Sequence, residues 1–187
     1  MTITIDAVVK VGGALLEIDG ALARTLSALE LIARDYTLLI VPGGGPFADA
    51  VRAADARHTL TDDDAHWMAI LAMEQLALLL ASRIRNAEIV HRRGEIERAL
   101  LRGNIPVLAP TRWLREADPL PHSWDVTSDS IAAWVASSVG ARQLILIKPD
   151  AHDALTVVDR YFDRARTPLM KYTIVTPDML SGNWFPD

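Results

Sequence analysis

Lys10 is one of only three lysines among nineteen basic residues, the other two being Lys148 and Lys171. It interrupts an otherwise apolar run, Ala7-Val8-Val9-Lys10-Val11, two residues before Gly12-Gly13. An ammonium emerging at the end of a hydrophobic strand is a point cation suited to the non-bridging oxygens of a transferring phosphoryl group. A lysine snorkelling from a strand edge is the plainer alternative, but the position lies inside the hydrophobic run. A second apolar run, Thr37 to Val41, stops at Pro42-Gly43-Gly44-Gly45. Glycines turn the backbone sharply and leave N–H groups unblocked, and a following helix adds the positive end of its dipole, so Gly12, Gly13, Gly43, Gly44 and Gly45 form two candidate phosphate cradles. Tight strand-to-helix turns need glycine for their own sake, which suffices for the first pair; three in succession ask for more. Neither the P-loop spacing nor the G-x-G-x-x-G dinucleotide fingerprint is present, which removes both of those readings.

A third polar concentration runs His122-Ser123-Trp124-Asp125-Val126-Thr127-Ser128-Asp129-Ser130. Asp129 is placed to orient a lysine through a charge-assisted hydrogen bond, and Thr127 and Ser128 to bond ligand oxygens. The same three residues are also what a helix cap requires. Capping leaves His122 and Trp124 unexplained, and the two readings stand side by side. Lys148 ends the run Leu144 to Ile147 and supplies a second cation at a strand end. His66 and Trp67 lie among leucines and read as core or helix surface. Asp62-Asp63-Asp64 reads as a charged first helical turn, and no metal is assigned to it.

These residues have to be delivered by strands and helices in alternation. Apolar runs at Ala7–Val11, Thr37–Val41, Glu88–Val90, Ile105–Leu108, Leu144–Ile147 and Tyr172–Val175 read as strands. Helical periodicity follows Leu22, Leu26, Leu29 and Ile32, then Phe47, Val51 and Ala54, and a long apolar helix opens after Thr61 through Trp67, Leu71, Leu76 and Leu80. Further helices cover Ile96–Leu101 and Ile131–Val135. This order predicts an α/β fold, a three-layer αβα sandwich with a mainly parallel central sheet, in one domain. In such sheets ligands bind at the carboxyl ends of the strands, where both glycine clusters fall.

Composition narrows the function classes. Half of the 187 residues are apolar, enough for a substantial core, and the absence of cysteine excludes disulfides, thiolate metal sites and cysteine nucleophiles. A net charge of −5, with both signs interleaved, offers no positive field for nucleic acid. The N-terminus shows no basic leader and no apolar run reaches the ~18 residues of a membrane span, so the expectation is a soluble, cytoplasmic protein without membrane contact.

Taken together, Lys10-Val11-Gly12-Gly13, Val41-Pro42-Gly43-Gly44-Gly45-Pro46-Phe47-Ala48 and Thr127-Ser128-Asp129-Ser130 resemble the amino-acid kinase family in order and spacing, over roughly Val8 to Ile147. Through His122-Ser123-Trp124 they look most like its small branch acting on a furan-type phosphate monoester in methanofuran biosynthesis and one-carbon metabolism. The resemblance implies an ATP-dependent phosphotransferase using Mg2+ on a small phosphorylated acceptor, with a diphosphate product. It implies catalytic roles for Lys10, Asp129 and Lys148, phosphate binding by the five glycines, and acceptor contacts from His122, Trp124, Thr127 and Ser128. Residues 1–140 would form the acceptor-binding half and 141–187 a reduced nucleotide half. A homodimer is implied as well. After Ile147, however, the family's T-D-V-D-G-like turn is replaced by Lys148-Pro149-Asp150-Ala151-His152-Asp153, and the chain passes quickly to Val157-Val158-Asp159-Arg160-Tyr161-Phe162. That departure keeps open a heteromeric partner that completes the nucleotide site, or a non-catalytic kinase-like binding or scaffold subunit.

Overall fold

A computed structural model describes residues 3–149 and 158–180. Six strands form one sheet: β1 (Ala7–Val11), β2 (Leu38–Pro42), β3 (Ala87–Val90), β4 (Ile105–Leu108), β5 (Gln143–Ile147) and β6 (Lys171–Val175). They lie in the order β3-β4-β2-β1-β5-β6, and each neighbouring pair is parallel. Among the described residues the α-helices are α1 (Ala21–Ile32), α2 (Gly45–His58), α3 (Asp62–Ala81), α4 (Arg93–Leu101), α5 (Thr111–Ala117), α6 (Ser128–Val139) and α7 (Phe162–Ala165). The strand runs expected from sequence are all present, as are the helices expected after them.

Side chains alternate across a strand, and here that period divides the core in two. Val8, Leu39, Val41, Leu144 and Leu146 point to the face covered by Ile96 of α4, Leu114 of α5 and Ile131 of α6. Val9, Val11, Leu38, Ile40, Ile145 and Ile147 point to the face covered by Leu26 and Leu29 of α1. This is the three-layer sandwich. Helix α3 serves both clusters, giving Ile70 and Met73 to the first and Leu76 and Leu80 to the second. It has the length of a membrane span and reaches a mean hydropathy of 1.2 over an 18-residue window, 39% of it buried, although its sequence is not an uninterrupted apolar run; Leu71 and Leu78 are exposed on the side away from the cores.

Helix starts follow the caps read from sequence. The Thr61 hydroxyl accepts from the Asp64 N–H, 3.1 Å, and Thr127 does the same for Asp129 at the start of α6. Gly140, at φ 68°, ends α6 in the left-handed conformation that glycine adopts freely.

Candidate active site

The strand period that sorts the core also places the lysines. Val8 and Lys10 share a face of β1, and Leu144 and Leu146 share the same face of β5, so Lys148 continues that face one step past the end of β5. Lys148 holds its register there by donating its backbone N–H to the Val175 carbonyl, 2.9 Å. Helix α6 packs over this face with Asp129 in its first turn. The result is a carboxylate gripped from both sides: Lys10 Nζ lies 2.9 Å from Oδ1, and Lys148 Nζ donates to Oδ2 at 2.6 Å. Lys10 and Asp129 are 6% and 4% exposed, and Lys148 is half-buried. Burial alone would raise the Asp129 pKa, but the two ammonium groups hold it below the usual carboxylate range. Burial lowers the pKa of Lys148; the Asp129 charge opposes this and Lys10 adds to it. Two cations on one anion leave this trio itself with a net positive charge.

The two glycine loops meet there as well. A β-carbon on Gly13 would stand 2.2 Å from Cα and N of Gly45, and one on Gly43 would stand 2.7 Å from N of Gly13. Loop-on-loop packing therefore accounts for much of why three glycines follow β2. The amides of Gly12 and Gly43 are spent on backbone carbonyls, those of Ile147 at 3.0 Å and Val11 at 2.8 Å. Gly13, Gly44 and Gly45 instead line a cleft of about 220 Å³, with Gly44 and Gly45 at the N-terminus of α2.

Lys10, Thr127 and Ser128 form one side of that cleft, and Ala48, Arg52, His66, Ser123 and Trp124 enclose the rest. Trp124 is fixed by donating its indole N–H to Asp55 at 2.8 Å, and the Arg52 guanidinium lies 4.8 Å above its ring. His122 lies behind His66, the two rings stacked 4.0 Å apart. Both nitrogens of His122 face carboxylates, Asp63 at 2.6 Å and Asp118 at 2.9 Å. Burial works against its proton, yet these two partners raise its pKa above the ordinary value. His66 goes the opposite way: burial and the neighbouring His122 charge lower it to about 4. A neutral His66 thus faces the cleft, and His122 reaches the ligand space only through it. Asp62 lines the cleft too, and among the described residues no three acidic or histidine side chains converge as a metal set.

Three groups escaped the sequence reading. Arg52 follows Gly45, Ala48 and Asp49 at helical spacing on one face of α2, distinct from the apolar one carrying Phe47 and Val51. His66 was obscured by its leucine-rich helix. Asp159 is the third: its Oδ2 accepts from Thr127 N at 2.9 Å, Thr127 Oγ1 at 2.7 Å and Ser130 N at 3.0 Å, while Ser130 Oγ donates to Oδ1. Nothing local in the sequence distinguishes it. Part of the segment that departs from the family pattern, residues 150–157, lies outside the described residues.

Among curated proteins the chain is similar to [5-(aminomethyl)furan-3-yl]methyl phosphate kinase of Methanocaldococcus jannaschii, 29% identical over 141 residues, which cover 74% of this chain and 63% of that relative. The chain thus spans less than two thirds of the length of the relative it matches. Solved structures give the same fold at low identity. Uridylate kinase from Archaeoglobus fulgidus superposes with a TM-score of 0.61 at 19% identity, over 78% of this chain and 64% of that one. Aspartate kinase from Synechocystis reaches 0.68 at 12% identity, over 91% and 37%. UMP kinase from Ureaplasma parvum gives 0.63 at 18%, over 80% and 71%. A model of the amino acid kinase family matches residues 7–151, a stretch that holds both glycine loops, both lysines and the carboxylate between them, and the chain belongs to that family.

Proposed function

We propose that the chain is a phosphotransferase that moves a phosphoryl group onto a small phosphate monoester of the furanylmethyl type, giving a diphosphate. The carrying observation is the Lys10–Asp129–Lys148 arrangement at the edge of the glycine-lined cleft. Its support from outside is the similarity to the furanylmethyl phosphate kinase.

Lys10 and Lys148 would stabilise charge on the oxygens of the group in transit, and Asp129 holds the two ammoniums apart and aimed. Among the described residues, Arg52 joins Lys10 as a cation lining the cleft and suits the acceptor's own phosphate, since a guanidinium pairs well with a phosphate edge. The attacking atom would be a phosphate oxygen. With a second pKa of about 6 it is already deprotonated at neutral pH, so no general base is required, and none of the carboxylates has to act as one. The proposed donor is ATP with Mg2+, which when bound supplies the phosphoryl group and a hard cation to share its charge. The site fits phosphates: Lys10 and Arg52 line it, and Gly13, Gly44 and Gly45 present no β-carbon to block a close approach. Magnesium would be held chiefly through phosphate oxygens.

The test is to incubate the protein with Mg-ATP and 5-(aminomethyl)furan-3-ylmethyl phosphate and follow 31P resonances. A pair of coupled diphosphate signals, lost in Lys10→Ala, is the expected result. Absence of those signals, together with unchanged ATP, overturns the proposal.

A further inference from the structure

The first turn of α6 carries Asp129, and so its rigidity decides where the two lysines point. That turn is closed by a carboxylate from a distant part of the chain. Asp159 takes two backbone N–H groups and two hydroxyls from Thr127 and Ser130, and its Oδ1 also accepts the Tyr161 N–H at 3.2 Å. Its segment is pinned independently. Phe162 is 1% exposed in the same core cluster as Ile131, and the Tyr161 N–H donates to the Asp125 carbonyl at 3.2 Å. An anion at a helix N-terminus is stabilised by the free amides and the dipole, so the contact is favourable without any ligand. It also occupies the hydroxyls of Thr127 and Ser130.

We propose that Asp159 is a positioning residue: a built-in anion that locks the N-terminus of α6 and so fixes Asp129 between Lys10 and Lys148. Its charge reaches Lys148 as well. The groups that act on the Lys148 ammonium are Asp129, Lys10 and Asp159; both carboxylates favour its protonated form, while Lys10 and burial disfavour it. Removing the Asp159 charge therefore shifts the Lys148 titration to lower pH, and with it the alkaline limb of any rate profile that needs Lys148 charged. A role limited to tying down a loop would leave that titration in place.

The kinetic part of this inference rests on the phosphotransferase reading; the titration part does not. Only three lysines are present, so 13C-methylation of their amines gives a spectrum in which each can be assigned by substitution. In Asp159→Asn the Lys148 resonance is expected to titrate at lower pH than in the parent, with kcat reduced several-fold, its alkaline limb shifted the same way, and KM for the acceptor little changed. If Asp159→Asn does not fold, Asp159→Ser, which loses the charge but keeps a hydroxyl to accept from the Thr127 and Ser130 N–H groups, is expected to give a shift in the same direction. An unmoved Lys148 titration in the variant that folds overturns the proposal. A parent protein without phosphotransfer, combined with the expected Lys148 shift, overturns the phosphotransferase reading alone.

Discussion

Gly13 and Gly45 touch backbone to backbone, with Cα of Gly45 lying 2.2 Å from where a β-carbon on Gly13 would stand. No rotamer change relieves that overlap, because backbone meets backbone. Gly45 also sits at φ 53°, where any other residue is strained. Gly13→Ala is expected to destabilise the fold by at least about 1–3 kcal/mol and to pull the two loops apart. Gly94→Ala, in α4 with nothing within 4 Å of the added methyl, is expected to be neutral or stabilising by up to about 1 kcal/mol. Urea denaturation of the two variants checks the contrast.

Removing the charge between the lysines is costlier than removing either lysine. Asp129→Asn leaves two ammoniums, one of them almost wholly buried, facing each other without a counter-charge. A loss of roughly 3–5 kcal/mol is expected, as for other buried pairs that lose one partner. Phosphotransfer is expected to fall by about 10²–10³ through misaimed cations. Lys10→Met keeps the Asp129–Lys148 pair, so its stability loss is expected to be the smaller of the two while its activity loss is comparable. Thermal unfolding beside initial rates separates the two effects.

The sheet and its order of strands and helices were legible because β1, β2, β4 and β5 are predominantly apolar runs and because two of the helices, α3 and α6, open on threonine caps. The lysines and Asp129 were legible for a related reason: a lone charge in an apolar strand, or in a capped first turn next to glycine loops, stands out from its neighbours. Arg52 did not stand out, being one of sixteen arginines on a surface helix. Asp159 is legible only in three dimensions, since it acts on Ser130 across 29 residues of intervening chain. His66 did not stand out either, because its place in the cleft wall shows only with His122 stacked behind it, a contact between α3 and the loop before α6.

Arg52 offers a direct check on which group holds the acceptor. Its side chain is about half exposed, paired with Asp49 at 2.8 Å and laid over Trp124, so it contributes little to stability. Arg52→Ala is expected to raise the KM for the phosphate monoester roughly tenfold, about 1.4 kcal/mol, with a smaller change in kcat. Arg52→Lys is expected to recover only part of this, since an ammonium cannot bond two phosphate oxygens edge-on or stack on the indole. Steady-state kinetics varying the acceptor at saturating donor decides between them.

The stacked histidines give the protein a stability optimum that can be located by titration. His66, with its folded pKa lowered to about 4, binds fewer protons folded than unfolded between that pH and about 6.5. Stability therefore rises with pH across this window. His122, raised above its ordinary value by Asp63 and Asp118 although burial opposes it, binds more protons when folded. Its contribution is fully present below about pH 6.5 and is lost as pH climbs through the folded value. The pair together favours a maximum near pH 6.5, with losses on both sides. Urea midpoints at about pH 4.5, 6.5 and 8.5 should show that maximum in the parent. In His122→Ala, the alkaline decline is expected to disappear. The acid-side loss should shrink as well, because His66 no longer meets a neighbouring positive charge. An alkaline slope that survives His122→Ala would assign the decline to another group.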